Sequence, residues 1–336
     1  MSDRLPRLLW LERALAALVI VPFLLGAAAA PTGTERVAFA FEDAAIAESS
    51  GLVAVGGLFA TTNDSGDSGR VFIVDRHGRT VGVTHWAEDP YDVEALAPAG
   101  DEHVWVGDIG DNNRVRESLT VARVPVGRGE RRVSPEVYEL VYPDGAHDAE
   151  TMLSDAEGRL YVATKGFLGG TLYAAPAELS AAAPNLLEPV GDVLPMATDG
   201  ALLPDGRHAL VRGYTSATLY TWPALERVRS IPLPRQQQGE GLAVDASGAV
   251  YLSSEGSRTD VLVLDPVDVA DDGDGDGSAT SDPTATPAPD STDESGESGD
   301  PVAVTERTDR GLWPWLLGGV VGVAMIVVLL RSLRPR

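Results

Sequence analysis

HDAETMLSDAEGRLYVATKG, residues 147–166, decides the fold of this chain. An apolar run, AETML, meets the turn-forming DAEGR and returns as a second run, LYVAT. Short runs with β-branched and aromatic members, parted by Asp and Gly, read as a β-hairpin. The pattern recurs four more times. SSGLVAV (from Ser49), VEALAPA (from Val93), TDGALLP (from Thr198) and GEGLAVD (from Gly239) are answered by LFATTND, HVWVGDI, HALVRGY and AVYLSSE. Third runs follow as VFIVD, LTVARVP, TLYAAP, TLYTW and VLVLD, and fourth runs in four units as TVGVTHW, VYELVYP, LLEPVG and RVRSIPL. Ser50, Glu94, Glu150, Asp199 and Glu240 hold the same place in each unit, at spacings of 44, 56, 49 and 41 residues. Repeats of that length with four antiparallel strands are propeller blades. The chain is therefore expected to be all-β, a five-bladed β-propeller over residues 32–267, with a six-bladed ring containing one degenerate unit as the alternative. VAFAFE (37–42) supplies the missing strand of the last blade and closes the ring.

The 336 residues contain no cysteine, so no disulfide or cysteine–metal site holds the fold. A net charge of −24 excludes nucleic acid as a partner, because phosphates would be repelled. Both ends point to a membrane. Arg4, Arg7 and Arg13 followed by the apolar run 14–30 describe a secretory signal peptide over residues 1–30. Residues 268–310, with thirteen acids against two arginines (net −11), read as a disordered acidic stalk rich in Ser, Thr, Pro and Gly. Asp272, Asp274, Asp276 and Gly277 imitate an EF-hand loop, but Pro283 stands where its closing glutamate belongs. Residues 312–330 carry no charge, and 19 residues of helix span about 28 Å, enough to cross a bilayer. Trp313 and Trp315 flank that helix on one side, and Arg331, Arg334 and Arg336 form a basic tail (331–336) on the other. The expected protein is a single-pass membrane protein, its propeller outside the cell and its C-terminus in the cytoplasm.

The first strand of each blade lines the axial channel, and the second returns beside it. The start of the first strand and the end of the second thus share one face. Glu94, Glu150, Asp199 and Glu240 are expected to converge there, with Asn63, Asp64, Asp108, Lys165, Arg212 and Glu255 nearby. Unit charges 4 Å apart at an effective dielectric of 20 repel by about 4 kcal/mol, so protons or cations must neutralise them. Two arrangements answer this: a central cation, or carboxylates bonded to backbone amides of neighbouring blades. All-oxygen ligands outside the cell favour Ca²⁺. Lys165 is the only lysine beside 25 arginines. It is expected at the rim with Arg212, holding an anionic group, and His147, on the loop into the third unit, is the candidate general base. DIGDNNR (108–114) and NDSGDSGR (63–70) are turns of the same face. GDSG (66–69) matches a serine-protease motif in letters only, since it lies inside a blade.

NDSGDSGRVFIVDRHGR, DVEALA, VWVGDIGDNNR, YPDGAHDAETML and LYVATK together resemble secreted propellers described as phytase-like proteins with esterase-like activity. The chain is more loosely similar to calcium-dependent propeller lactonases and nucleotidases. The resemblance covers residues 46–265. It implies calcium at the axial channel and a hydrolytic site at the same mouth, for a small anionic or ester ligand. Glu94, Glu150 and Glu240 match the repeated acidic motif. Ser50 departs from it, with Glu48 two residues earlier on the same strand face. Phytase propellers hold phosphate with clustered cations, where this chain offers Lys165 and Arg212. A non-catalytic surface propeller that binds a ligand or protein is the competing expectation.

Overall fold

A computed structural model describes residues 36–267, apart from Ser65 and Asp101. The expected signal peptide, stalk, membrane helix and basic tail lie outside these residues. No helix among the described residues is long and apolar enough to cross a membrane.

The chain opens with β1 (Arg36–Ala40), then builds five antiparallel blades in turn. Blade 1 is β2 (Ser49–Val55), β3 (Leu58–Asn63), β4 (Arg70–Val74) and β5 (Thr80–His85). Blade 2 is β6 (Val93–Pro98), β7 (His103–Asp108), β8 (Leu119–Pro125) and, after a short β9 (Gly129–Arg132), β10 (Val137–Val141). Blade 3 is β11 (Ala149–Ser154), β12 (Leu160–Thr164), β13 (Gly170–Ala174) and, after the two-residue β14 (Asn185–Leu186), β15 (Glu188–Val193). Blade 4 is β16 (Asp199–Leu202), β17 (His208–Arg212), β18 (Ser216–Thr221) and β19 (Arg227–Pro232). Blade 5 has β20 (Gly239–Val244), β21 (Val250–Ser254) and β22 (Asp260–Leu264), and β1 pairs with β22 as its fourth strand.

Five sheets set the blade number at five and remove the six-bladed alternative. Two strands had no counterpart in the repeat. β9 lies parallel to β5 and β14 parallel to β10, so blades 2 and 3 each lend a strand to the outer edge of the blade before them. Pairing an edge strand in this way satisfies its backbone donors and blunts aggregation.

The apolar core is divided among the five blade interfaces. Neighbours along one strand point to opposite sheet faces. Leu52 therefore packs with Phe59, Phe72 and Tyr251 between blades 5 and 1, while Val53 joins Ile73, Leu96 and Val104 between blades 1 and 2. Met152 and Leu153 divide likewise between the interfaces of blade 3 with blades 2 and 4. This double burial explains why the inner strands read as nearly unbroken apolar runs. Each fully buried Leu or Phe contributes about 1.5–3 kcal/mol. At the axis the inner strands come so close that Gly51 and Gly241 are needed, because a Cβ on either would collide with the neighbouring blade. Hydroxyls close the ring across its seam: Ser49 Oγ lies 2.7 Å from Thr61 Oγ1 and donates to Ser253 Oγ at 2.8 Å.

Candidate functional site at the channel mouth

The entry of each inner strand and the end of its partner meet on one face, as the repeat required. Ladder register then decides where each key side chain points. Pairing is irregular at the key position in four blades, between Ser49 and Leu52, Val93 and Ala95, Ala149 and Thr151, and Gly239 and Leu242. Such irregularities re-aim a side chain out of the ladder. Blade 4 pairs regularly from Asp199 opposite Arg212 onward, and its key residue behaves differently.

In blades 1 and 2, Asp64, Asp92 and Glu94 each bring a carboxylate oxygen within 4.8 Å of the others. Asp92 and Glu94 are buried and Asp64 half-buried. Ser50 Oγ stands 2.9 Å from both Glu94 Oε2 and the Glu94 carbonyl, so the serine that breaks the acidic pattern serves as a hydroxyl partner to the next blade's glutamate. Gly110 backs onto this cluster. Its backbone N–H donates to the Asp92 carbonyl at 3.1 Å, and a Cβ there would collide with the Asp92 carboxylate and lie 2.8 Å from Glu94 Cγ. The space beside the acids thus depends on a missing side chain. Burial, then the charges of Glu150, Asp64 and Asp92, push Glu94 up to about 10. Burial, then Asp64, Asp148 and Asp108, push Asp92 to about 6, against the pull of Arg116.

Glu150 and Glu240 form the other side of the mouth, 5% and 4% exposed. Lys165 Nζ is ion-paired with Glu150 Oε1, and its ammonium lies 5.4 Å from the centre of the Tyr214 ring. At Glu150 burial outweighs the ammonium and raises the carboxyl to about 7. At Lys165 burial opposes the charge but the Glu150 carboxylate prevails, so the ammonium is held more firmly than usual. Burial, then Glu150 and Glu255, raise Glu240 to about 8. Glu150 Oε2 and Glu240 Oε2 are both buried and accept no hydrogen bond.

The remaining expected site residues are placed elsewhere. Asp199 is fully buried, with Oδ2 accepting the amides of Leu242 (2.6 Å) and Leu52 (3.3 Å) and Oδ1 that of Gly200 (2.8 Å). It ties blades 5 and 1 to blade 4, and both oxygens are taken. Burial pushes it well above the carboxylate range, against these amides and Arg212. Arg212 does not stand at the rim: it is fully buried and donates to the carbonyls of Gly241 (3.0 Å) and Ser253 (3.3 Å). Burial lowers it to about 10, with Asp199 and Glu240 opposing. Asn63 spends its amide on the backbone of Ala45, Ala47 and Glu48 and on Asp67. Asp108 accepts the amides of Tyr91 (2.8 Å) and Asp92 (3.0 Å) and pairs with Arg116 (2.8 Å). It thereby fixes the loop that presents Asp92. His147 turns to Asp144 (3.1 Å) and packs edge-on against Tyr142, away from the axial acids.

Asp92, Asp148, Arg116 and Tyr214 escaped the sequence reading. Two of them had a signal: Asp92 precedes Glu94 by two, as Asp148 precedes Glu150, and period two keeps both side chains on one strand face. Compared with known proteins, the chain matches no family model and no curated sequence.

Proposed function

We propose that the mouth holds a divalent, oxygen-seeking cation, Ca²⁺, and that the propeller is a metal-dependent hydrolase of small ester, lactone or phosphoester substrates. The observation that carries this reading is the triad Asp64, Asp92 and Glu94, three carboxylate oxygens within 4.8 Å beside a cradle that Gly110 leaves open. The donor set suits Ca²⁺, which accepts carboxylates in irregular geometry. A bound cation of this kind polarises a substrate oxygen or a water. The chain's own residues supply the rest. Asp108 and Arg116 hold the Asp92 loop in position. Glu150, raised to about 7, takes up and releases a proton near neutral pH, the role first given to His147. Phe167 and Leu168, 82% and 92% exposed on the loop that Lys165 begins, offer apolar surface to the non-polar part of an ester. On sequence grounds we place this domain outside the cell, tethered to the bilayer by residues 312–330.

One observation favours the second reading, a surface propeller that binds a ligand without turning it over: His147, Arg212, Asn63 and Asp108 all spend their polar groups within the fold. Calorimetric titration of chelator-stripped protein with Ca²⁺ tests the cation, and finding no binding removes it. Screening esters, lactones and phosphoesters with and without EGTA tests the chemistry. Hydrolysis that survives both EGTA and Glu94→Gln overturns the hydrolase reading as stated.

A further inference from the structure

The two sides of the mouth are neutralised differently. Beside Asp64, Asp92 and Glu94 the guanidinium of Arg116, whose charge is felt at Asp92, is directed to Asp108 and to the Gly110 carbonyl, each at 2.8 Å. On the other side a built-in ammonium has taken its place. Lys165 is ion-paired with Glu150, lies against Tyr214, and has a side chain only 12% exposed. Its charge also favours the ionised forms of Glu240 and Glu255. It is a fixed part of the wall and not a mobile surface arm. Yet one positive charge faces three acids, and Glu150 Oε2 and Glu240 Oε2 remain buried with no donor.

We infer that Lys165 is a resident substitute for a second divalent cation: its ammonium fills a latent cation site formed by Glu150 and Glu240, and so limits the mouth to one ion. The inference rests on the cation proposed at Asp64, Asp92 and Glu94. A compact ammonium with three rotatable donors occupies an ion-sized space, whereas a guanidinium is a flat fork that needs a matching planar partner. This gives a physical reason for a lysine here in a chain whose other long cations are all arginine. Once the ammonium is gone, two buried carboxylates that repel each other are left, each with an unpartnered oxygen, and burying them charged without a partner is costly. A divalent ion with its waters relieves that cost.

The test is the number of ions bound. Full-length protein stripped with EGTA is titrated with Ca²⁺ in a calorimeter beside Lys165→Gln and Lys165→Arg. The expected result is one ion per chain for the wild type and Lys165→Arg, two for Lys165→Gln, and one again when Glu240→Gln is added to Lys165→Gln. One ion in both the wild type and Lys165→Gln overturns this inference and leaves the first site standing, and so do two ions in the wild type. No ion in any protein overturns both. None in the wild type and one in Lys165→Gln removes the first site but keeps Lys165 as the occupant of a cation's place. Should Lys165→Gln unfold without Ca²⁺, recovery of its folded circular dichroism at saturating Ca²⁺ is expected, and failure to recover overturns the inference.

Discussion

The two faces of the ring treat acids in opposite ways. On the face away from the mouth, Asp75, Asp205 and Asp245 sit in turns where their carboxylates accept backbone amides two to four residues ahead. Burial pushes each one up, but these amides and the neighbouring Arg79, His208 or Ser247 outweigh it, and all three end below the ordinary carboxylate range. At the mouth, Asp92, Glu94, Glu150 and Glu240 are raised, because burial and mutual repulsion find too few donors. Buried polar groups are almost always paired, and this set left short of partners is the feature on which the proposed cation site rests. Asp199 shows that the mouth's shortage is not forced by position in the repeat. It occupies the key place of its blade and is fully served by amides.

The sharpest way to break this comparison is at Asp199. Asp199→Ala strips three buried amides of their acceptor and leaves Arg212 without its acidic neighbour, a loss on the order of 3–5 kcal/mol in urea unfolding. The loss should be the same with and without Ca²⁺. A Ca²⁺-dependent loss would move Asp199 into the same class as Glu94.

The pH dependence of the cation-free protein comes next. An acid whose folded pKa exceeds its unfolded value stabilises fully below the unfolded value and loses that contribution as pH rises through the folded one. Glu150, Glu240 and Glu94 rise from 4.5 to about 7, 8 and 10, and Asp92 from 3.8 to about 6. Stability in EGTA should therefore fall between pH 5 and pH 8 by a few kcal/mol, at about 1.4 kcal/mol per pKa unit. Saturating Ca²⁺ should flatten the curve. A urea midpoint in EGTA that rises over this range would contradict the arrangement.

A smaller and two-signed effect is expected of Glu94→Gln. With Glu94 pushed up to about 10, the cation-free fold must take up a proton there at neutral pH. The neutral amide removes that cost, so melting in EGTA should rise, while Ca²⁺ binding weakens by roughly tenfold or more, about 1.4 kcal/mol. Smallest is Asp245→Ala on the far face, which loses turn hydrogen bonds worth about 1 kcal/mol. Its Ca²⁺ titration should match that of the wild type.

Much of the fold was open to sequence reasoning because the repeat is written in apolar periodicity and turn residues. VAFAFE could be assigned to the last blade, 200 residues away, only because every other unit had four runs and that one had three. The site was less open. Spacing from the key residue put Lys165 and Arg212 at one level, 13 to 15 positions on. Yet Arg212 is the last residue of its strand, in regular register with Asp199, while Lys165 lies one beyond the end of β12. A shift of one residue reverses the face a side chain occupies. The irregular pairing that sets Glu94 and Glu150 apart from Asp199 is a matter of backbone geometry, and no residue type announces it. β9 and β14 were missed for a similar reason: their pairing is with the preceding blade, which a repeat unit cannot record.

The last blade takes its outer wall from the first strand of the domain, Arg36–Ala40, with Arg36 reaching Asp265 at 2.7 Å. The other four blades are complete by Pro232, but the ring itself cannot close until the strand ending at Leu264 meets the first one. Phe39 and Phe41 pack against Phe59 and Phe72 of the first blade as well as Tyr251 and Val261 of the last, so they bind the two ends of the chain into one apolar seam whose burial is complete only when both are present.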